Sequence, residues 1–125
     1  MENRWSVRTP LTSMVTLYHN KIPVAVCTAQ DIGLGGIFIN TGPITYPLNT
    51  PIDIEFELGR HDNHKWYRLP ACVVHGAKDG MGLMFLEPNS EIKRIIRRMI
   101  LDDALHNEPT KTNYDNSLKT NTASM

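Results

Sequence analysis

Arg4 and Arg8 stand four residues apart near the start of the chain, and Asp31 and Gly36 bound the stretch Asp31-Ile-Gly-Leu-Gly-Gly36. Both stretches carry residue types that bind anions. A guanidinium presents planar donors that grip phosphate in pairs, match the O6 and N7 edge of guanine, and stack on aromatic faces. In an extended arm, residues i and i+4 point the same way about 13 Å apart at ~3.3 Å per residue, a span that suits one ligand of nucleotide size. Gly33, Gly35 and Gly36 supply permissive backbone whose N–H groups can approach an anion closely, and Asp31 can accept from the Watson–Crick edge of a guanine.

Two further side chains belong beside these. Trp5, between the arginines, has a face for stacking on a base, although a Trp next to a strand also serves as an anchor on the protein body. His75, in an apolar run, is either turned toward the ligand or a satisfied structural residue.

Other reactive groups lack partners in sequence. Cys27 and Cys72 lie in the apolar runs Val24-Ala-Val-Cys27 and Ala71-Cys-Val-Val74, away from the close Cys/His spacing of metal and redox sites, and are expected as buried, reduced thiols. Of the five histidines only His61 and His64 are close, with no Cys neighbour and no further ligand, so no metal site is expected. No nucleophile with its base and no pair of acids has a recognisable context, which argues against an enzyme and against a bound cofactor.

Thirteen basic and thirteen acidic residues cancel, so the whole-molecule field draws in neither nucleic acid nor an anionic membrane, and any anion site is local. No apolar stretch reaches the roughly 18 residues of a membrane span, and the opening Met-Glu-Asn-Arg-Trp has no apolar segment like that of a secretory signal. A cytoplasmic protein of one domain is expected from 125 residues.

The elements that must position the two stretches follow from periodicity. Residues 1 to 10 are polar, and Thr9-Pro10 discourages helix, giving a flexible arginine-bearing arm. Leu11 to Tyr18 and Ile22 to Ala29 flank the short His19-Asn20-Lys21 connection as a hairpin. Asp31 to Gly36 is a tight turn, followed by the short strand Ile37-Phe-Ile39 and a loop to Pro51. Ile52-Asp-Ile-Glu-Phe-Glu-Leu58 alternates strictly, with Ile52, Ile54, Phe56 and Leu58 on one face and three acids on the other. His64 to Gly76 and Met81 to Leu86 make two more strands around Lys78-Asp79-Gly80.

Asn89 or Ser90 caps a helix in which Ile92, Ile95, Ile96, Met99 and Ile100 share one face, with Lys93, Arg94, Arg97 and Arg98 on the other. From residue 106 the chain is rich in Asn, Thr, Ser and Lys and reads as a disordered tail. The body is therefore mainly β: about six short antiparallel strands in a barrel or sandwich, with a C-terminal helix, over residues 11 to 105.

An Arg-x-x-x-Arg arm, a hairpin, then Asp/Asn-x-Ser-x-x-Gly followed at once by an apolar strand is the signature of PilZ domains, which bind the bacterial second messenger cyclic di-GMP, and Arg4, Arg8, Asp31 and Gly36 match it. Gly80-Met-Gly-Leu-Met-Phe85 resembles the closing strand of these domains, and the helix from Ser90 resembles their C-terminal helix, so the resemblance covers about residues 3 to 105. It implies a six-stranded antiparallel barrel with a C-terminal α-helix. It also implies that Arg4 and Arg8 meet the bases and phosphates of cyclic di-GMP while Asp31, Gly33 and Gly36 hold the other edge, the ligand ordering the arm for an effector protein. Gly33 stands where the family usually has Ser, and one hydrogen bond lost from a charged ligand weakens binding by about 1.5 to 3 kcal/mol. The rival that the resemblance allows is an adaptor, as in type IV pilus assembly, that has lost the nucleotide and works through protein contacts; such members generally lack the arginine arm.

Overall fold

The computed structural model describes residues 7–60 and 63–106. Seven strands and one helix follow in order: β1 (Arg8–Pro10), β2 (Met14–His19), β3 (Ile22–Gly33), β4 (Gly36–Asn40), β5 (Pro51–Arg60), β6 (Asn63–Ala77), β7 (Gly80–Phe85) and α1 (Ser90–His106). The sheet runs β3-β2-β5-β6-β7-β4, and β4 pairs back onto β3, which closes a six-stranded barrel. Every pairing is antiparallel. Strand β1 is an extra piece that continues the line of β2 along β3.

Local chemistry explains the connections. Asn20 and Lys21 take φ of 54° and 67°, the left-handed pair of a two-residue turn whose twist suits the β2–β3 hairpin. The loop from Thr41 to Thr50 is strapped to the barrel, since Thr41 and Gly42 donate to the Asp79 carbonyl and Asn49 donates to the Val73 carbonyl. Cys27 is buried and Cys72 half-buried, each a free thiol, and burial raises the pKa of Cys27.

The alternation in β5 works as its pattern dictates: Ile52, Ile54, Phe56 and Leu58 are all within 1% of full burial, while Asp53, Glu55 and Glu57 stay on the outer surface. Phe56 stacks near-parallel on Phe85 across the barrel interior, with ring centroids 6.4 Å apart. The helix inserts Ile92 and Ile96 into this core and lies against β1, β3 and β5, leaving Lys93, Arg94, Arg97 and Arg98 in solvent.

Asn89 is the helix cap, its Oδ1 accepting from the Ile92 N–H at 2.9 Å. Close by, Glu91 accepts from Tyr67 Oη at 2.8 Å and from Lys65 Nζ at 3.1 Å, which fastens the start of α1 to β6. These two donors, Tyr67 before Lys65, hold the Glu91 carboxyl below its ordinary pKa. Asn89→Ala is expected to lower stability by about 1 kcal/mol, the usual worth of a cap, read by denaturant melts in which the midpoint falls and the slope does not change.

Candidate functional site

Arg8 and Asp31 meet across the β1–β3 pair. The register sets Arg8 opposite Gly33, Thr9 opposite Ile32 and Pro10 opposite Asp31. Arg8 Nε donates to Asp31 Oδ1 at 2.6 Å, and its Nη2 reaches toward the Asp31 carbonyl at 3.5 Å and the Gly36 carbonyl at 3.4 Å. Two distant stretches of sequence thus form one site, at the open end of the β3–β4 turn. The Arg8 side chain is 36% exposed and that of Asp31 26%, so the pair is wet on one side, and Nη1 donates to nothing among the described residues.

The local structure differs from the sequence expectation in two respects. Asp31-Ile-Gly-Leu-Gly-Gly36 is not a six-residue turn: Asp31, Ile32 and Gly33 end β3, Gly36 starts β4, and only Leu34 and Gly35 turn the chain. Likewise the last three residues of the arm, Arg8, Thr9 and Pro10, form β1, with Thr9 buried at 4%. The physical reason is space. A Cβ at Gly33 would lie 2.8 Å from the Val7 carbonyl oxygen and 3.6 Å from Arg8 Cγ, so the missing side chain lets the arm lie directly on β3.

A serine at position 33 would therefore meet the arm before it met a ligand. Gly33→Ser is expected to push β1 off β3, seen as faster amide exchange through residues 8 to 11 with the melting temperature nearly unchanged. Unaltered exchange there would contradict the packing argument.

Of the residues that the sequence singles out, Arg8, Asp31, Gly33, Gly35 and Gly36 come together here. Arg4 and Trp5 lie outside the described residues. His75 is exposed on the outer face of β6 opposite Gly82, and its ring sits 6.3 Å from that of Phe38. Sequence reading missed Gln30, whose Nε2 donates to Asp31 Oδ2 at 3.3 Å. A register shift between Ala29 and Asp31 breaks the two-residue alternation, so Gln30 and Asp31 both reach the outside.

A second polar cluster sits on β2, β5 and β6, away from the arm. Tyr18 Oη donates to Glu55 Oε1 at 2.9 Å, and the Arg68 guanidinium covers the Tyr18 ring at 3.7 Å. Bonding to Glu55, followed by desolvation, raises the Tyr18 pKa. Tyr18 engages both of the other side chains, which suits a structural role. Among the described residues no three His, Cys, Asp or Glu side chains converge as a metal site would need, and no helix is long and apolar enough to cross a membrane.

The PilZ domain family model matches residues 2–102. This chain belongs to the PilZ domain family. Among solved structures, this PilZ domain is similar to the Bacillus subtilis inhibitor of motility MotI/DgrA, with a TM-score of 0.74 and 15% identity over 86% of this chain and 54% of that one. It thus spans about half the length of that protein. It is also similar to the PilZ domain of CeSA from a cellulose-synthesizing bacterium, with a TM-score of 0.58 and 21% identity over 78% of this chain and 97% of that one. At such identities the likeness speaks for the fold. No curated protein matches the chain in sequence.

Proposed function

We propose that this PilZ domain is a non-catalytic receptor for cyclic di-GMP, with Arg8, Asp31, Gly33 and Gly36 on the barrel and Arg4 on the arm as its ligand-binding residues. The observation that carries the reading is the Arg8 guanidinium held between Asp31 Oδ1 and the Gly36 carbonyl. A guanidinium fixed by its Nε presents Nη1 without first losing rotamer freedom, and a phosphate or guanine can take that group in a charge-assisted hydrogen bond. Asp31 serves chiefly to aim Arg8, because Arg8 and Gln30 already occupy one lone pair on each of its oxygens.

Arg4, four residues before Arg8, brings a second guanidinium to the same ligand, and closing the arm on the nucleotide changes the surface shown to an effector protein. The ligand shifts this equilibrium only by its preference for the closed arm. The exposed basic face of α1, Lys93, Arg94, Arg97 and Arg98, suits an acidic effector surface. Neither DNA nor RNA belongs to the reading, since Asp53, Glu55 and Glu57 line the outer face of β5. The reading places the protein in the cytoplasm, in control of motility, biofilm or exopolysaccharide.

Calorimetric titration with cyclic di-GMP tests this. Saturable binding at micromolar concentration or tighter, lost in the Arg4→Ala/Arg8→Ala variant, is expected. No heat at high ligand concentration would overturn it in favour of an adaptor that works through protein contacts alone.

A further inference from the structure

The outer face next to Arg8 holds an apolar shelf that neither arginine motif nor glycine turn accounts for. Phe38 on β4 pairs with Asp31 on one side and with Gly82 of β7 on the other, so it shares the outer face of the barrel with Asp31. Its neighbours in the strand, Ile37 and Ile39, point into the core, which turns Phe38 outward by alternation. The ring lies over bare backbone: a Cβ at Gly80 would come within 2.5 Å of Phe38 Cε1, and one at Gly82 within 3.8 Å of Cδ2.

His75, opposite Gly82, tilts toward the same ring, with centroids 6.3 Å apart and planes at 51°. Met84, opposite Gly36, is 43% exposed and completes the edge nearest Arg8. The face therefore has two poles on the same side of β4, one at Gly36 and one at Phe38. One is cationic and donates hydrogen bonds; the other is flat, aromatic and polarizable. A ligand that fills both is planar at one end and anionic at the other, which is the chemistry of a purine nucleotide.

We infer that Phe38, His75 and Met84 form a stacking subsite for a purine base of the nucleotide whose charged groups Arg8 engages. The inference rests on the receptor reading above and adds residues to it. Stacking needs only a π-face and a soft apolar edge, and Phe38 with Met84 supplies both, while the exposed His75 adds a ring nitrogen at the rim.

The test uses the full chain with methyl-labelled methionine and cyclic di-GMP. Phe38→Ala and Met84→Ala, each checked for a native circular dichroism spectrum, are expected to weaken binding, Phe38→Ala by about tenfold. Met84→Ala, at an exposed position, guards against a folding defect in the other variant. On saturation the Met84 methyl resonance is expected to move upfield under the base, while that of Met81, fully buried, stays in place. If the wild type binds but both variants keep its affinity and the Met84 methyl does not move, the subsite is overturned and the receptor reading stands. If the wild type does not bind at all, the receptor reading fails and the subsite falls with it.

Discussion

Arg8→Ala is expected to lower the affinity for cyclic di-GMP by one to two orders of magnitude while shifting the melting temperature by only a few degrees. The two effects separate because they draw on different interactions. A hydrogen bond to a charged group is worth about 1.5 to 3 kcal/mol, and the fork of Arg8 offers at least one on its free edge. The folded chain loses little, since the Arg8–Asp31 pair is wet and exposed pairs contribute about 0 to 1 kcal/mol. Arg8→Lys keeps the charge but not the planar fork, and is expected to recover only part of the loss. Affinity measured by calorimetry beside a thermal melt checks both halves. A variant that melts far below the wild type would mean that β1 is a structural strand first.

Gly36→Ala carries the largest combined effect, on fold and site together. Gly36 faces Met84 where β4 pairs with β7, the seam next to the one that closes the barrel, and a Cβ there would lie inside contact distance of the Leu83 carbonyl oxygen and 3.2 Å from Met84 Cα. Backbone cannot rotate away as a flexible side chain would, so the strands must part. Forced overpacking costs about 1 to 3 kcal/mol, which for a domain of this size is a fall of roughly 10 °C in melting temperature. The same shift moves the Gly36 carbonyl that Arg8 Nη2 reaches at 3.4 Å, so binding falls with stability. A thermal melt and a titration on one sample check this, and a variant as stable as the wild type would contradict the close approach.

The parts of this molecule that are legible in its sequence are those where side-chain period and burial agree. Strict alternation alone names the buried face of β5, and Ile92 and Ile96 enter the core as the helical period dictates. The hairpin turn at Asn20 and Lys21 follows from residues that tolerate left-handed backbone. Illegible parts arise where the period is broken or uninformative. The register shifts at Ala29/Asp31 in β3 and Val73/His75 in β6 put successive residues on one side, which exposes Gln30 with Asp31 and Val74 with His75. An all-apolar run such as Ile37-Phe-Ile39 says nothing of which member faces out. Phe38 is found only once the register is known.

The glycines show the same division. Gly36 marks a site in sequence by its place in a motif, but why the chain needs glycine there is a matter of the Leu83 carbonyl, 47 residues on. At Gly33 the sequence suggests a lost hydroxyl, whereas the structure shows a gained contact between the arm and β3. The departure from the family pattern is thus tied to how closely the arm docks.

The proposed receptor takes the nucleotide on one face of the barrel, along β1, β3 and β4. Backbone amide shifts of the isotope-labelled chain, followed during titration with cyclic di-GMP, test it most directly. Saturable shifts at Arg8, Asp31, Gly33 and Gly36, with Thr16, Glu55 and Arg68 unmoved, are the predicted result. Shifts confined to β2 and β5, or none at saturating ligand, would contradict it.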